Sequence, residues 1–240
     1  MKNKKGSHVG VVISFTVFIT FLFFLYLIIE PVATKERSKQ YLLDHIRLNL
    51  IENSTVNYTS VTISVSTPTD KDCINTNQVG SDKIPDEYND KLIVINPDGE
   101  SLDYFRSGQG FKIKTGVGFV GVLKVYFSDE INNPPVNPGG CNTHTVEVGV
   151  VKSYKQIFQS KIGELKDSYT LDYEALKTKL GIPKGTEFNF YLLDIDRNII
   201  FSAEKQTPPE TIDVYVDETP IQYMDDSGAI KFGFLRIIVW

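Results

Sequence analysis

VGVVISFTVFITFLFFLYLII, residues Val9 to Ile29, carries no charge in 21 positions and only Ser14, Thr16 and Thr20 as polar interruptions before Tyr26. At about 1.5 Å per residue such a helix is about 30 Å long, the hydrocarbon thickness of a bilayer. The stretch therefore predicts a membrane-spanning helix. A secretory signal is the competing reading, but its apolar region is usually about 7–15 residues and ends at a small-residue cleavage site. Here the run is longer, and Glu30-Pro31-Val32-Ala33-Thr34-Lys35 makes a poor cleavage site. A buried helix of a soluble core rarely runs this long without charge. A retained anchor is the expectation.

The charges sort around that span. The 240 residues hold 25 Lys and Arg against 30 Asp and Glu, a net charge of -5, yet Lys2, Lys4 and Lys5 crowd the N-terminus and no acid precedes residue 7. Removing those three lysines leaves 22 basic against 30 acidic side chains, so everything after Gly6 carries -8. Such a surface has no general attraction for phosphate backbones, and nucleic acid is not an expected partner. For orientation, Lys2, Lys4 and Lys5 are balanced by Lys35, Arg37 and Lys39 on the far side of the span, so the positive-inside rule gives a draw. Two glycosylation sequons, Asn53-Ser54-Thr55 and Asn57-Tyr58-Thr59, and two cysteines beyond the span fit an oxidising exterior better than a reducing cytosol. The expected topology is N-terminus cytoplasmic and bulk extracytoplasmic.

Four regions follow. Residues 1–8 form a basic leader, 9–29 the span, 30–53 an amphipathic stalk helix and 54–240 a β-rich head. Pro31 should kink the helix or open a new segment. In the stalk, Tyr41, Leu42, His45, Ile46, Leu48 and Asn49 fall in helical register. From Val56 the period becomes 2, with Val61, Ile63 and Val65 alternating with polar residues. Further strands are expected at 91–96, 101–106, 111–114, 119–128 and 145–151. Asp129–Cys141, DEINNPPVNPGGC, reads as a long loop or a sub-boundary. A short helix near 170–180 takes Thr170 as N-cap and Tyr173, Leu176 and Leu180 as its stripe, and Gly181 and Pro183 stop it. Strands at 187–193 and 198–203 flank the turn Asp194-Ile195-Asp196-Arg197, and strands at 212–216 and 229–240 close the chain, the last one internal to its sheet. The expected fold class is α+β with a mainly antiparallel head.

Motifs for chemistry are sparse. Gly116-Val117-Gly118-Phe119-Val120-Gly121 matches a dinucleotide fingerprint, but a strand pattern follows it where a helix is needed, so these glycines read as a turn or bulge. Cys73 and Cys141 could pair as a disulfide, or remain free thiols; Cys141 with His144 supplies only half of a zinc site. Asp194 with Asp196, and Asp225 with Asp226, could bind calcium or act as acid and base, but both pairs sit where turns favour Asp. His8, His45 and His144 are scattered, and no nucleophile, zincin or phosphate-loop motif occurs. No catalytic residue, cofactor site or metal site is expected.

Lys4-Lys5-Gly6, followed directly by Ser7 and the apolar span, resembles the class III signal sequence of archaeal type IV pilin-like proteins. The plan of basic leader, apolar helix running into an amphipathic one, then β-rich head is similar too. The resemblance rests on about the first 50 residues; many pilins carry glutamate at the fifth mature position, where this chain has Val11. It implies that a prepilin peptidase cuts between Gly6 and Ser7, and that the phenylalanine-rich helix packs against copies of itself or other pilin-like subunits. The alternative is a membrane-tethered binding or assembly module whose helix is only an anchor.

Overall fold

The computed structural model describes residues 7–76, 79, 83–108, 110–205 and 207–240, with the backbone alone for 7, 8 and 29–38. In chain order the elements are α1 (Ser7–Ser54), β1 (Thr55–Val65), β2 (Cys73–Thr76), β3 (Leu92–Ile95), β4 (Ser101–Leu102), β5 (Tyr104–Ser107), β6 (Gly110–Lys114), β7 (Gly121–Phe127), β8 (Asn142–Thr143), β9 (Glu147–Phe158), α2 (Gln159–Leu171), α3 (Tyr173–Lys179), β10 (Phe188–Asp194), β11 (Ile199–Ala203), β12 (Tyr215–Met224) and β13 (Ile230–Val239). A nine-stranded sheet runs β11-β10-β13-β12-β9-β1-β7-β3-β4, and a four-stranded sheet runs β5-β6-β2-β8. All pairings are antiparallel except β9 with β12 and β2 with β8. This is the α+β, β-rich head that the alternating patterns predicted.

One face of the large sheet carries two cores. On the β10, β12 and β13 half, Phe188, Phe190, Leu192, Leu235, Ile237 and Val239 pack against Leu43, Ile46 and Leu50 of α1, Ile162, Leu165 and Tyr169 of α2, and Leu176 of α3. On the β1, β3 and β7 half, Val61, Ile63, Val65, Leu123 and Val125 pack against Ile74, Tyr104, Phe111 and Ile113 of the small sheet. Thr55, Ile157 and Tyr223 lie side by side across β1, β9 and β12, so the two cores share a face. Within the sheet, the described strands of the two halves are joined by two parallel pairs, Tyr223 with Ile157 and Met224 with Phe158, and on the opposite face Met224 and Phe158 pack with Tyr58, Ile93, Tyr126 and Ile131.

Several expectations need correction. Helix α1 continues through Pro31 as one 48-residue element, so no new segment begins there. In the stalk the buried stripe is Leu43, Ile46 and Leu50, while Tyr41 and Leu48 are 73% and 61% exposed; each lies two residues, about half a turn, from the core position it was expected to fill. Thr170 is not an N-cap: it lies inside α2, its hydroxyl donating to the Lys166 carbonyl at 3.0 Å. Asp172 caps α3 instead, accepting from the Ala175 N–H at 3.0 Å. Helix α2 itself was missed, because its N-cap is Phe158 with no side-chain cap to mark the start. β9 runs to Phe158, well past Val151, and β12 begins at Tyr215 and not at Ile212. β13 is internal, between β10 and β12, and Gly233 is required in it: a Cβ there would run into the Leu193 carbonyl oxygen.

Ile46 is fully buried and Leu48 is not. Ile46→Ala is expected to destabilise the protein by about 2–5 kcal/mol, and Leu48→Ala by less than about 1 kcal/mol. Denaturant titration in detergent, followed by fluorescence of the single Trp, buried Trp240, measures both. Equal losses would show that the register of the stalk on the head is wrong.

Candidate functional site

Val9–Ile28 of α1 is long and apolar enough to cross a membrane, and none of it is buried in this chain. Phe15, Phe18, Phe21, Phe23 and Phe24 all point outward. Two of the polar interruptions are neutralised within the helix: Thr16 Oγ1 donates to the Val12 carbonyl at 2.9 Å and Thr20 Oγ1 to the Thr16 carbonyl at 2.8 Å. Neither hydroxyl hydrogen is left without a partner in an apolar surround, where an unmade bond is costly.

The stalk end of the same helix is fastened to the head by polar contacts around its buried stripe. Arg47 pairs with Asp44 at 2.8 Å and reaches Asp217 and Thr219 of β12 at 3.5 Å. Asn49 Nδ2 meets His45 Nε2 at 3.1 Å and donates to the Leu180 carbonyl at 3.3 Å. Lys39 stands 6.0 Å from the Tyr215 ring centroid. Gly181 has φ +66 and sits so close to His45 that a Cβ would collide with the imidazole. Ordinary side-chain chemistry thus holds the helix in one rotation against the sheet.

In the distal half, Cys73 and Cys141 form a disulfide with Cα atoms 5.0 Å apart across 68 residues. In the loop-entropy picture such a closure stabilises by about 4 kcal/mol. It closes the segment 129–141, which has no regular structure but is held along its length. Asn133 Nδ2 donates to the Leu92 carbonyl, the Val136 N–H to the Tyr104 carbonyl, and the buried Tyr104 hydroxyl to the Asn133 carbonyl at 2.6 Å. Burial pushes the Tyr104 hydroxyl pKa well above its ordinary value. The segment is therefore a strap across β3 and β5, not a loose linker.

The acidic pairs are turns. Asp194 accepts from the Asn198 backbone N–H and Nδ2, both at 2.8 Å, closing the β10–β11 hairpin where Arg197 has φ 65. Asp225 accepts from Ser227 and Ala229 N–H groups and pairs with Lys231 at 2.7 Å. His144 lies beside β8 in the small sheet, away from the β10–β11 hairpin that carries Asp194 and Asp196 in the large one. Among the described residues no group of three His, Cys, Asp or Glu side chains could hold a metal. Gly116, Gly118 and Gly121 have positive φ and form the turn into strand β7. Gly6 lies outside the described residues; Ser7 opens α1. Asn53 Nδ2 donates to the Asn49 carbonyl at 2.8 Å, and Asn57 is exposed on β1.

Besides a concavity of about 430 Å³ where the stalk residues Tyr41, Leu42 and His45 meet Gly181 and Pro183, two others lie on the head. An open groove of about 450 Å³ between the β10–β11 turn and β12–β13 is lined by Ile195, Pro220, Ile221, Phe232 and Phe234. A tighter cavity of about 240 Å³ lies at the junction of the sheet halves, between Ile93, Ile131, Phe158, Ser160 and Asp225. Neither was visible in the sequence, since strand alternation does not say which outward apolar residues become neighbours. No known protein-family model matches the chain, and no curated protein matches it in sequence.

A buried cation sits inside the head: the ammonium of Lys177 lies 3.0 Å from Glu187, 3.7 Å from Glu174 and 5.2 Å from the Tyr173 ring centroid. Burial pushes the Glu187 carboxyl pKa up, but hydrogen bonds from Tyr173 and Lys177 outweigh it and hold the group below its ordinary 4.5. A depressed carboxylate stabilises the fold above its unfolded pKa and loses that contribution as pH falls through the lower folded value. Stability is therefore expected to drop on acidification below 4.5, and Glu187→Gln to flatten that drop while lowering stability at neutral pH. Thermal unfolding against pH tests this; an unchanged slope in the variant would remove Glu187 from the account.

Proposed function

We propose that this chain is a single-pass, membrane-anchored cell-surface structural protein of pilin-like type, non-enzymatic, with its N-terminus cytoplasmic and its head extracytoplasmic. The observation that carries the reading is the single helix α1. Its first half exposes a continuous apolar surface, and its last turns are built into the core of the head. An element that only tethers has no need to enter the core of what it carries. Here any packing of the apolar half against lipid or a neighbouring subunit fixes the position of the head as well.

The partners in this reading are the bilayer and other copies of the chain, or related subunits, through Val9–Ile28. The -8 charge beyond Gly6 keeps closely spaced heads soluble and discourages nucleic acid. The second reading, a tethered binding or assembly module, is favoured by the apolar groove at Ile195, Phe232 and Phe234, which has the size of a small-ligand site.

Mass spectrometry of the native N-terminus separates processing from a plain anchor. The expected terminal peptide begins at Ser7, and Gly6→Leu blocks its formation. An intact Lys4-Lys5-Gly6 terminus in protein from native membranes would overturn pilin-type processing.

A further inference from the structure

We infer that Asn57 carries an N-linked glycan, that Asn53 does not, and that this glycan covers the unpaired side of β9. The inference rests on the extracytoplasmic placement of the head proposed above. The two sequons are four residues apart in sequence but stand in different environments. Asn53 lies in the last turn of α1, partly buried, with its amide nitrogen donating to the Asn49 carbonyl at 2.8 Å, the atom a glycan would have to use. The middle residue of that sequon, Ser54, is buried and donates to the Leu50 carbonyl at 2.7 Å. Asn57 is exposed on β1, and among the described residues its side-chain amide has no hydrogen-bond partner. Its neighbours are small or solvated: Lys155 lies directly across on β9, and the Thr59 hydroxyl meets Ser153 Oγ at 3.0 Å.

The position matters because of β9. Beyond Ile157 and Phe158, no described strand pairs with the outer side of β9, and residues 149–155 are exposed. Such an edge presents unpaired N–H and C=O groups to any passing strand. Val150, Val151 and Tyr154 make it attractive, while Lys152, Lys155 and the irregularity opposite Thr62 oppose pairing. A bulky, hydrated oligosaccharide on Asn57, one strand spacing of about 4.8 Å away, adds a steric guard.

Glycopeptide mass spectrometry on the full chain from native membranes tests the site, with protease accessibility on intact cells read in parallel. The expected result is a glycan mass on the Asn57 peptide that Asn57→Gln and Thr59→Val abolish and that Asn53→Gln and Thr59→Ser preserve. A bare Asn57 on a head that external protease reaches, or a glycan on Asn53, overturns the inference and leaves the topology standing. A head that external protease cannot reach defeats the topology, and the inference with it. Size-exclusion chromatography in detergent reads the guarding role: Asn57→Gln shifts to larger species and Thr59→Ser does not, and identical elution would remove that role.

Discussion

The structure depends on the burial of Leu43, Ile46 and Leu50 of α1 between the helices α2 and α3 and the strands β10, β12 and β13. These three side chains belong to the same helix as the exposed apolar stretch Val9–Ile28, so one element joins an uncovered apolar surface to a buried core. Its first half has hydrophobic surface that only lipid or another protein can cover. Its last turns fill the interior of the head. About 15 residues separate the two environments, roughly 22 Å at helical rise.

That arrangement also explains how the two halves of the head stay together. The large sheet is joined at its middle by only two residue pairs between β9 and β12. The chain crosses between the halves twice more. The helix α1 packs on the β10–β13 half and then runs directly into β1 of the other half; β9 leaves the β1 half and runs directly into α2, which packs beside α1. The ion pair of Lys161 on α2 with Glu130 on the strap, at 2.9 Å, bridges the same junction. Each half therefore supplies part of the other's support, and the disulfide with the strap 129–141 closes the distal half separately.

What the sequence made legible follows the strength of its periodic signals. The uncharged run, the alternation of Val61, Ile63 and Val65, the Asp194–Arg197 turn and the closing strand were readable because each has one buried face or a demanding turn geometry. β9 was cut short because residues 149–155 are exposed on both faces and leave no alternation to read. In the stalk, Tyr41 and Leu48 imitate core positions while Leu43 and Leu50 fill them, a distinction of phase that periodicity over two turns does not resolve. Ile162, Leu165 and Tyr169 of α2 carry a helical stripe at i, i+3 and i+7, so that helix was legible in the sequence even without a cap. The groove at Phe232 and Phe234 and the contrast between Asn53 and Asn57 depend on which strands become neighbours, and that information exists only in the folded chain.

Amide hydrogen exchange of the full chain in lipid bilayers tests the central claim most directly. A single helix shared by membrane and head predicts strong protection over Gly10–Ile28, from the bilayer, and again over Leu43–Leu50, from the core. Exchange at unstructured rates over either stretch would contradict it: over the first, the apolar run does not lie in the membrane, and over the second, the helix is only a tether.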